Sequence, residues 1–238
     1  RARQGTVSPP GLARPVAVMC QEDPPRPTLL LVLPGARGRE PTLRRLQRLA
    51  RLCVALPASE LVRGGWAREL VEEGCWVDWV DSADAAIAAV TRWQQEAPGR
   101  SIDGVMCYDE FGIELAASLA EQLHLPGTPL AQLRALRDKQ SFRERCRASG
   151  LPAVRSARIL SADDVEALLS EKSWRWPCVF KPAKGAGSFY VRKVAGPEDL
   201  RRSFRQLLDQ LASGLLPADA AGAGFVLEEY FEGWEVDV

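Results

Sequence analysis

Val179-Phe180-Lys181-Pro182-Ala183-Lys184-Gly185-Ala186-Gly187-Ser188-Phe189-Tyr190-Val191 decides how this chain is read. It has the pattern of a buried strand ending in a lysine, a loop of small residues, and a second strand. Gly185 and Gly187 reach backbone conformations that other residues resist, and Ala186 and Ser188 add little bulk. Such a loop can bring its N–H groups close to a phosphate, with Lys181 and Lys184 supplying positive charge. Taken alone, the stretch equally fits a hairpin turn with two solvated lysines.

The residues on either side continue an α+β pattern. Upstream, 136–149 predicts one strongly charged helix that carries Asp138-Lys139 and is stopped by Gly150 and Pro152. Residues 155–160 predict a strand. Ser161 then caps a helix containing Val165, Leu168 and Leu169. Downstream, a helix over 197–211 and a small-residue linker over 218–224 lead to a strand over 225–231 that carries Glu228-Glu229.

Residues 28–131 have a different character. Thr28-Leu29-Leu30-Leu31-Val32-Leu33 is a continuous apolar run ended by Pro34-Gly35, as in a strand buried on both faces. Helices over 41–50, 66–73, 82–93 and 111–123 alternate with strands over 52–56, 75–80 and 102–108. The last helix places Ile113, Ala116, Ala117, Ala120 and Leu123 on one face. Asp81 or Ser82 caps the third helix, and Asp109 the fourth. This alternation implies right-handed crossovers and a parallel sheet. Pro34-Gly35-Ala36-Arg37-Gly38 lacks the G-x-G-x-x-G spacing of a dinucleotide site. Residues 1–27, rich in proline and arginine, read as a flexible lead-in.

Composition narrows the partners. The 238 residues carry 31 basic and 31 acidic side chains, which gives no electrostatic reason to expect nucleic acid. No run of about eighteen apolar residues is present, so no membrane partner is expected. Cys20, Cys53, Cys75, Cys107, Cys146 and Cys178 form no CxxC pair and sit mostly in apolar runs. They point to a reducing, cytoplasmic compartment. The start at Arg1 and the stop at Val238, inside an apparent strand, read as a fragment of a longer protein.

Lys139, Lys181 with its loop, Glu228-Glu229 and Glu235 together resemble the ATP-grasp superfamily of carboxylate–amine ligases. The likeness runs from about residue 100 onward. Asp103-Gly104-Val105, Tyr108-Asp109-Glu110 and Leu125-Pro126-Gly127-Thr128 look like the end of that superfamily's preceding domain. Asp138-Lys139 with Phe142 and Gly150-Leu151-Pro152 looks like its first helix. Phe180-Lys181-Pro182 and 184–188 look like its nucleotide lysine and phosphate flap. The residues from Leu227 to Val238 look like its adenine hinge and ribose strand.

The implied fold is α/β: a parallel-sheet pre-ATP-grasp domain over 28–131, then the α+β first subdomain of an ATP-grasp fold over 132–238, truncated. The resemblance implies that Lys139 and Lys181 face the triphosphate of ATP and that Lys184, Gly185, Ala186, Gly187 and Ser188 close over it. It also implies that Glu228, Glu229 and Phe231 frame the adenine and that Glu235 holds the ribose hydroxyls. Phe231 and Trp234 read as packing residues rather than platforms for a base. The implied chemistry forms an acyl phosphate and releases ADP, with Mg2+ held by acidic residues downstream of this chain. The chain itself would then be inactive. The loop and the 232–238 end look most like the amino-acid and dipeptide ligases, the group that includes carnosine synthase. Partners would be small molecules, a carboxylate and an amine, with homo-oligomerisation left open.

Other classes fit less well. A kinase places its glycine loop before the lysine, and G-x-x-x-x-G-K-[ST] and G-x-S-x-G are absent. His124 is the only histidine, and it reads as a capping or surface residue. The alternative from another class is a nucleotide-binding regulatory or scaffold module without catalysis.

Overall fold

The computed structural model describes residues 26–79, 82–96, 100–214 and 222–234. The lead-in over 1–25, part of the linker and Glu235 lie outside them. Four strands form a first sheet: β1 (Thr28–Val32), β2 (Arg51–Pro57), β3 (Trp76–Trp79) and β4 (Gly104–Cys107). Their order is β3-β2-β1-β4 and every pairing is parallel, as the alternating pattern predicts. Leu30, Leu31 and Val32 are fully buried because helices cover both faces. Leu30 and Val32 pack with α3 (Ala83–Gln95) and α4 (Ile113–Gln122). Leu31 packs on the other side with Leu43 of α1 (Glu40–Leu46).

Local signals place several boundaries. Ser82 caps α3 by accepting the Ala85 N–H, and Asp81, the other candidate, lies outside the described residues. His124 closes α4 in a left-handed conformation, with its N–H on Glu121 and that of Leu125 on Ala120. The expected helix over 66–73 is instead a single turn, α2 (Leu61–Gly64), followed by a 3-10 stretch over Gly65–Leu70. Adjacent Gly64 and Gly65 weaken a continuous α-helix there.

The expected helix over 136–149 is two helices, α5 (Leu130–Arg137) and α6 (Lys139–Ala148). Asp138 breaks them apart. Its backbone is extended, with ψ 110°, and its carboxylate accepts the Ser141 N–H at 2.9 Å. A capping aspartate that opens a new helix outweighs the helical periodicity around it.

The second sheet contains β5 (Ser156–Ile159), β6 (Cys178–Pro182), β7 (Arg192–Val194) and β8 (Phe225–Glu229). Its order is β5-β8-β6-β7 and all pairings are antiparallel. One face packs on α7 (Ala162–Ser170) and α8 (Pro197–Ala212). Leu200, Phe204 and Leu207 of α8 share a helical stripe, and the Phe180 ring lies 5.4 Å from that of Phe225. Ser161 and Asp164 form a reciprocal capping box at the start of α7.

Residues 189–191 are not the strand their sequence suggests. Tyr190 has φ 58° and two tight turns occupy the segment, so pairing resumes only at Arg192. The five cysteines among the described residues are free. No helix among the described residues is long and apolar enough to cross a membrane.

Candidate functional site

Period-two alternation sorts the side chains of β6 and β8. Phe180, Phe225 and Leu227 enter the core under α7 and α8, while Lys181 and Glu228 share the opposite face. Lys181 lies opposite Val226, and Glu228 opposite Val179, so the pair meets diagonally across the two strands. The Lys181 ammonium sits 2.5 Å from one Glu228 oxygen. The Arg143 guanidinium, on α6, lies 3.2 Å from the other. Glu228 is only 4% exposed, and these two cations compensate its buried charge.

The break at Asp138 sets the position of Lys139. Lys139 opens α6, its backbone N–H donates to Ala183 at 2.9 Å, and its ammonium donates to the Gly185 carbonyl at 3.3 Å. Burial, reinforced by the nearby Lys181 charge, holds the Lys139 ammonium below its ordinary pKa. Arg158 of β5 reaches the Asp138 carboxylate at 2.5 Å, which ties α6 to the sheet. Burial pushes the Asp138 carboxyl up. The Arg158 contact and the Ser141 N–H more than offset this, so its pKa is below the ordinary value.

A depressed carboxylate pKa stabilises the fold above the unfolded-state value and loses that contribution as the pH falls through the folded one. Asp138→Ala is therefore expected to cost about 2 kcal/mol at neutral pH, by loss of the cap and the Arg158 contact. That difference from the native chain should shrink below roughly pH 4. Urea denaturation of both proteins at pH 7 and pH 3 measures it, and an equal difference at both values would refute the assignment.

Lys139, Lys181, Pro182, Gly185, Ala186, Ser188, Phe189 and Val191 enclose a cleft of about 40 Å³. A volume of that size holds a few waters. The Gly185 end of the 184–191 flap is tied to Lys139, and Lys181 lines the same cleft. Gly185, Gly187 and Ser188 have φ of 144°, 62° and 56°, and the glycines are what let the chain turn so tightly.

The remaining predicted residues are distributed less simply. Lys184 does not line the cleft; its ammonium lies 3.3 Å from Glu114 on α4. Glu229 ends β8, with its N–H donated to the Arg155 carbonyl. Phe231 and Trp234 are 71% and 98% exposed, so neither is the packing residue its sequence context suggests. Glu235 lies outside the described residues. Sequence reasoning missed Arg143, Arg158 and Glu114. Arg143 was within reach, since it follows Lys139 by four residues on one helical face. Nothing local marks Glu114, an acid on a helix of the other sheet.

Comparison with known proteins bears on the fold. The ATP-grasp domain family matches residues 174–238. No curated protein matches the sequence. Among solved structures, the L-amino acid ligase from Bacillus licheniformis aligns with a TM-score of 0.63 and 21% identity, over 88% of this chain and 45% of that one. The biotin carboxylase domain of Hydrogenobacter thermophilus 2-oxoglutarate carboxylase, solved with MgADP, ADP and bicarbonate, gives 0.61 and 18%, over 86% and 44%. The N5-carboxyaminoimidazole synthetase of Staphylococcus aureus, complexed with ADP, gives 0.57 and 13%, over 86% and 47%. The chain therefore spans less than half the length of these structures. Its fold is a parallel-sheet unit followed by the α+β first subdomain of the ATP-grasp fold.

Proposed function

We propose that this chain forms the nucleotide-handling part of an ATP-dependent carboxylate–amine ligase. The convergence of Lys139, Lys181 and a small-residue flap on one face of the second sheet carries this reading. In the proposed reaction a substrate carboxylate oxygen attacks the γ-phosphorus of ATP and ADP leaves. An amine then attacks the acyl carbon and inorganic phosphate leaves. The two lysines would neutralise and orient the phosphates, and the closed flap would exclude water from the acyl phosphate. The backbone of 229–231 would border the base, with Glu235 at the ribose. Among the described residues no group of three or more His, Cys, Asp or Glu could hold a metal ion. They offer no magnesium cage, and the roles assigned here rest on the lysines and the flap.

Calorimetric titration with ATP, with and without Mg2+, tests the reading. Binding is expected, and Lys139→Met should weaken it roughly tenfold or more through loss of one charged contact. Phosphate would favour the charged form of Lys139, so binding should take up protons as the pH rises into the alkaline range. Affinity indifferent to Lys139 would remove that residue from the site.

The finer reading is an amino-acid or dipeptide ligase of the carnosine synthase kind, acting in the cytoplasm. It is supported by the 181–188 loop, the 232–238 end and the likeness to an L-amino acid ligase. ADP release by the full-length protein with β-alanine and histidine, set against other amino-acid pairs, distinguishes it. The alternative reading is a nucleotide-binding module without catalysis, and acidic metal ligands in the sequence downstream would argue against it. ATP binding without ADP release under any substrate pair would support that reading.

A further inference from the structure

Lys184, at the root of the flap, is paired with Glu114, which belongs to a helix of the other sheet 70 residues earlier. Glu114 is held by two further cations: Arg134 at 3.0 Å and Arg137 at 2.8 Å, both on α5. The Lys184 contact, at 3.3 Å, is the longest of the three. If Lys184 leaves, Glu114 keeps two charge-assisted partners, so release strands no buried carboxylate. The flap meanwhile borders a cleft of about 40 Å³ beside Lys139 and Lys181. Lifting the flap to widen that space pulls on the Lys184–Glu114 contact.

We infer that Glu114 is a latch that competes with nucleotide phosphate for Lys184, holding the flap down on the empty site through the parallel-sheet unit. The inference rests on the nucleotide-site reading above. Arg134 and Arg137 aim the Glu114 carboxylate and keep it ionised. The phosphate, an anion with more charge and more acceptors than one carboxylate, takes Lys184 over when it arrives. The latch makes flap opening depend on a residue outside the nucleotide site, so whatever moves α4 changes access for ATP.

Hydrogen exchange of the 184–191 amides in the nucleotide-free chain reads the latch without ATP. Glu114→Gln should raise exchange across the flap about two- to fivefold, the scale of a part-exposed ion pair. Lys184→Gln, which leaves the α5 arginines paired with Glu114, should do the same from the flap side. The two variants should part on ATP addition. Glu114→Gln should bind about two- to fivefold more tightly than the native chain, and Lys184→Gln no more tightly. Unchanged flap exchange in both variants, with ATP binding intact, would overturn the latch alone. A freed flap with no gain in ATP affinity for Glu114→Gln would overturn the competition. A freed flap in chains that bind no ATP at all would overturn the competition and the nucleotide reading together.

Discussion

Phe180→Ala is expected to lower the stability of the second sheet and its helices by about 3–5 kcal/mol, the range for emptying a fully buried aromatic site. Phe180 is 0% exposed and packs on both the Phe204 and Phe225 rings, at 6.5 and 5.4 Å between centroids. Phe204 and Phe225 are themselves in edge contact at 5.7 Å, so the three rings form one unit that cannot collapse into the space left behind. The loss should also reach the site, because Lys181 follows directly on the same strand. In urea denaturation the midpoint should fall with little change in slope. Phe180→Leu, which keeps most of the volume, should cost far less. A loss under about 1 kcal/mol for the alanine variant would mean that the ring is not packed as described.

Lys181→Met is expected to weaken ATP binding roughly tenfold to a hundredfold, the value of one or two charged hydrogen bonds. It should also destabilise the chain, because Glu228 is buried and would keep only Arg143 at 3.2 Å. Breaking a buried pair from one side costs about 3–5 kcal/mol, and the remaining guanidinium should reduce this to about 1–3. Adding Glu228→Gln removes the stranded charge, so the double variant should regain stability without regaining ATP affinity. A double variant as unstable as Lys181→Met would show that Lys181 acts through packing rather than charge. Recovery of ATP binding in the double variant would remove Lys181 from the phosphate site.

Much of this was legible in the chain itself. The apolar run at Leu30, Leu31 and Val32 announces a strand buried on both faces, and the structure buries all three fully. Ser82, Ser161 and Gly150 mark helix ends because a hydroxyl or a missing Cβ acts on the backbone beside it. Lys181 beside a small-residue loop, and the alternation that turns Lys181 and Glu228 to one face, likewise need only neighbouring residues.

The partners of the charged groups were not legible. The 136–149 periodicity runs through Asp138, yet Asp138 caps a new helix through the Ser141 N–H, and the Arg158 guanidinium that meets the same carboxylate comes from a later strand. Phe189-Tyr190-Val191 has strand composition, but the flap folds down on Lys139 and the turn wins over pairing. Lys184 pairs with Glu114 rather than facing the cleft. Residue type and spacing determine which face a side chain takes and where a helix stops, because those effects decay within a turn or a strand pair. Which cation a carboxylate meets depends on how α4, α6 and the second sheet pack, and elements 70 to 85 residues apart meet only in the tertiary structure.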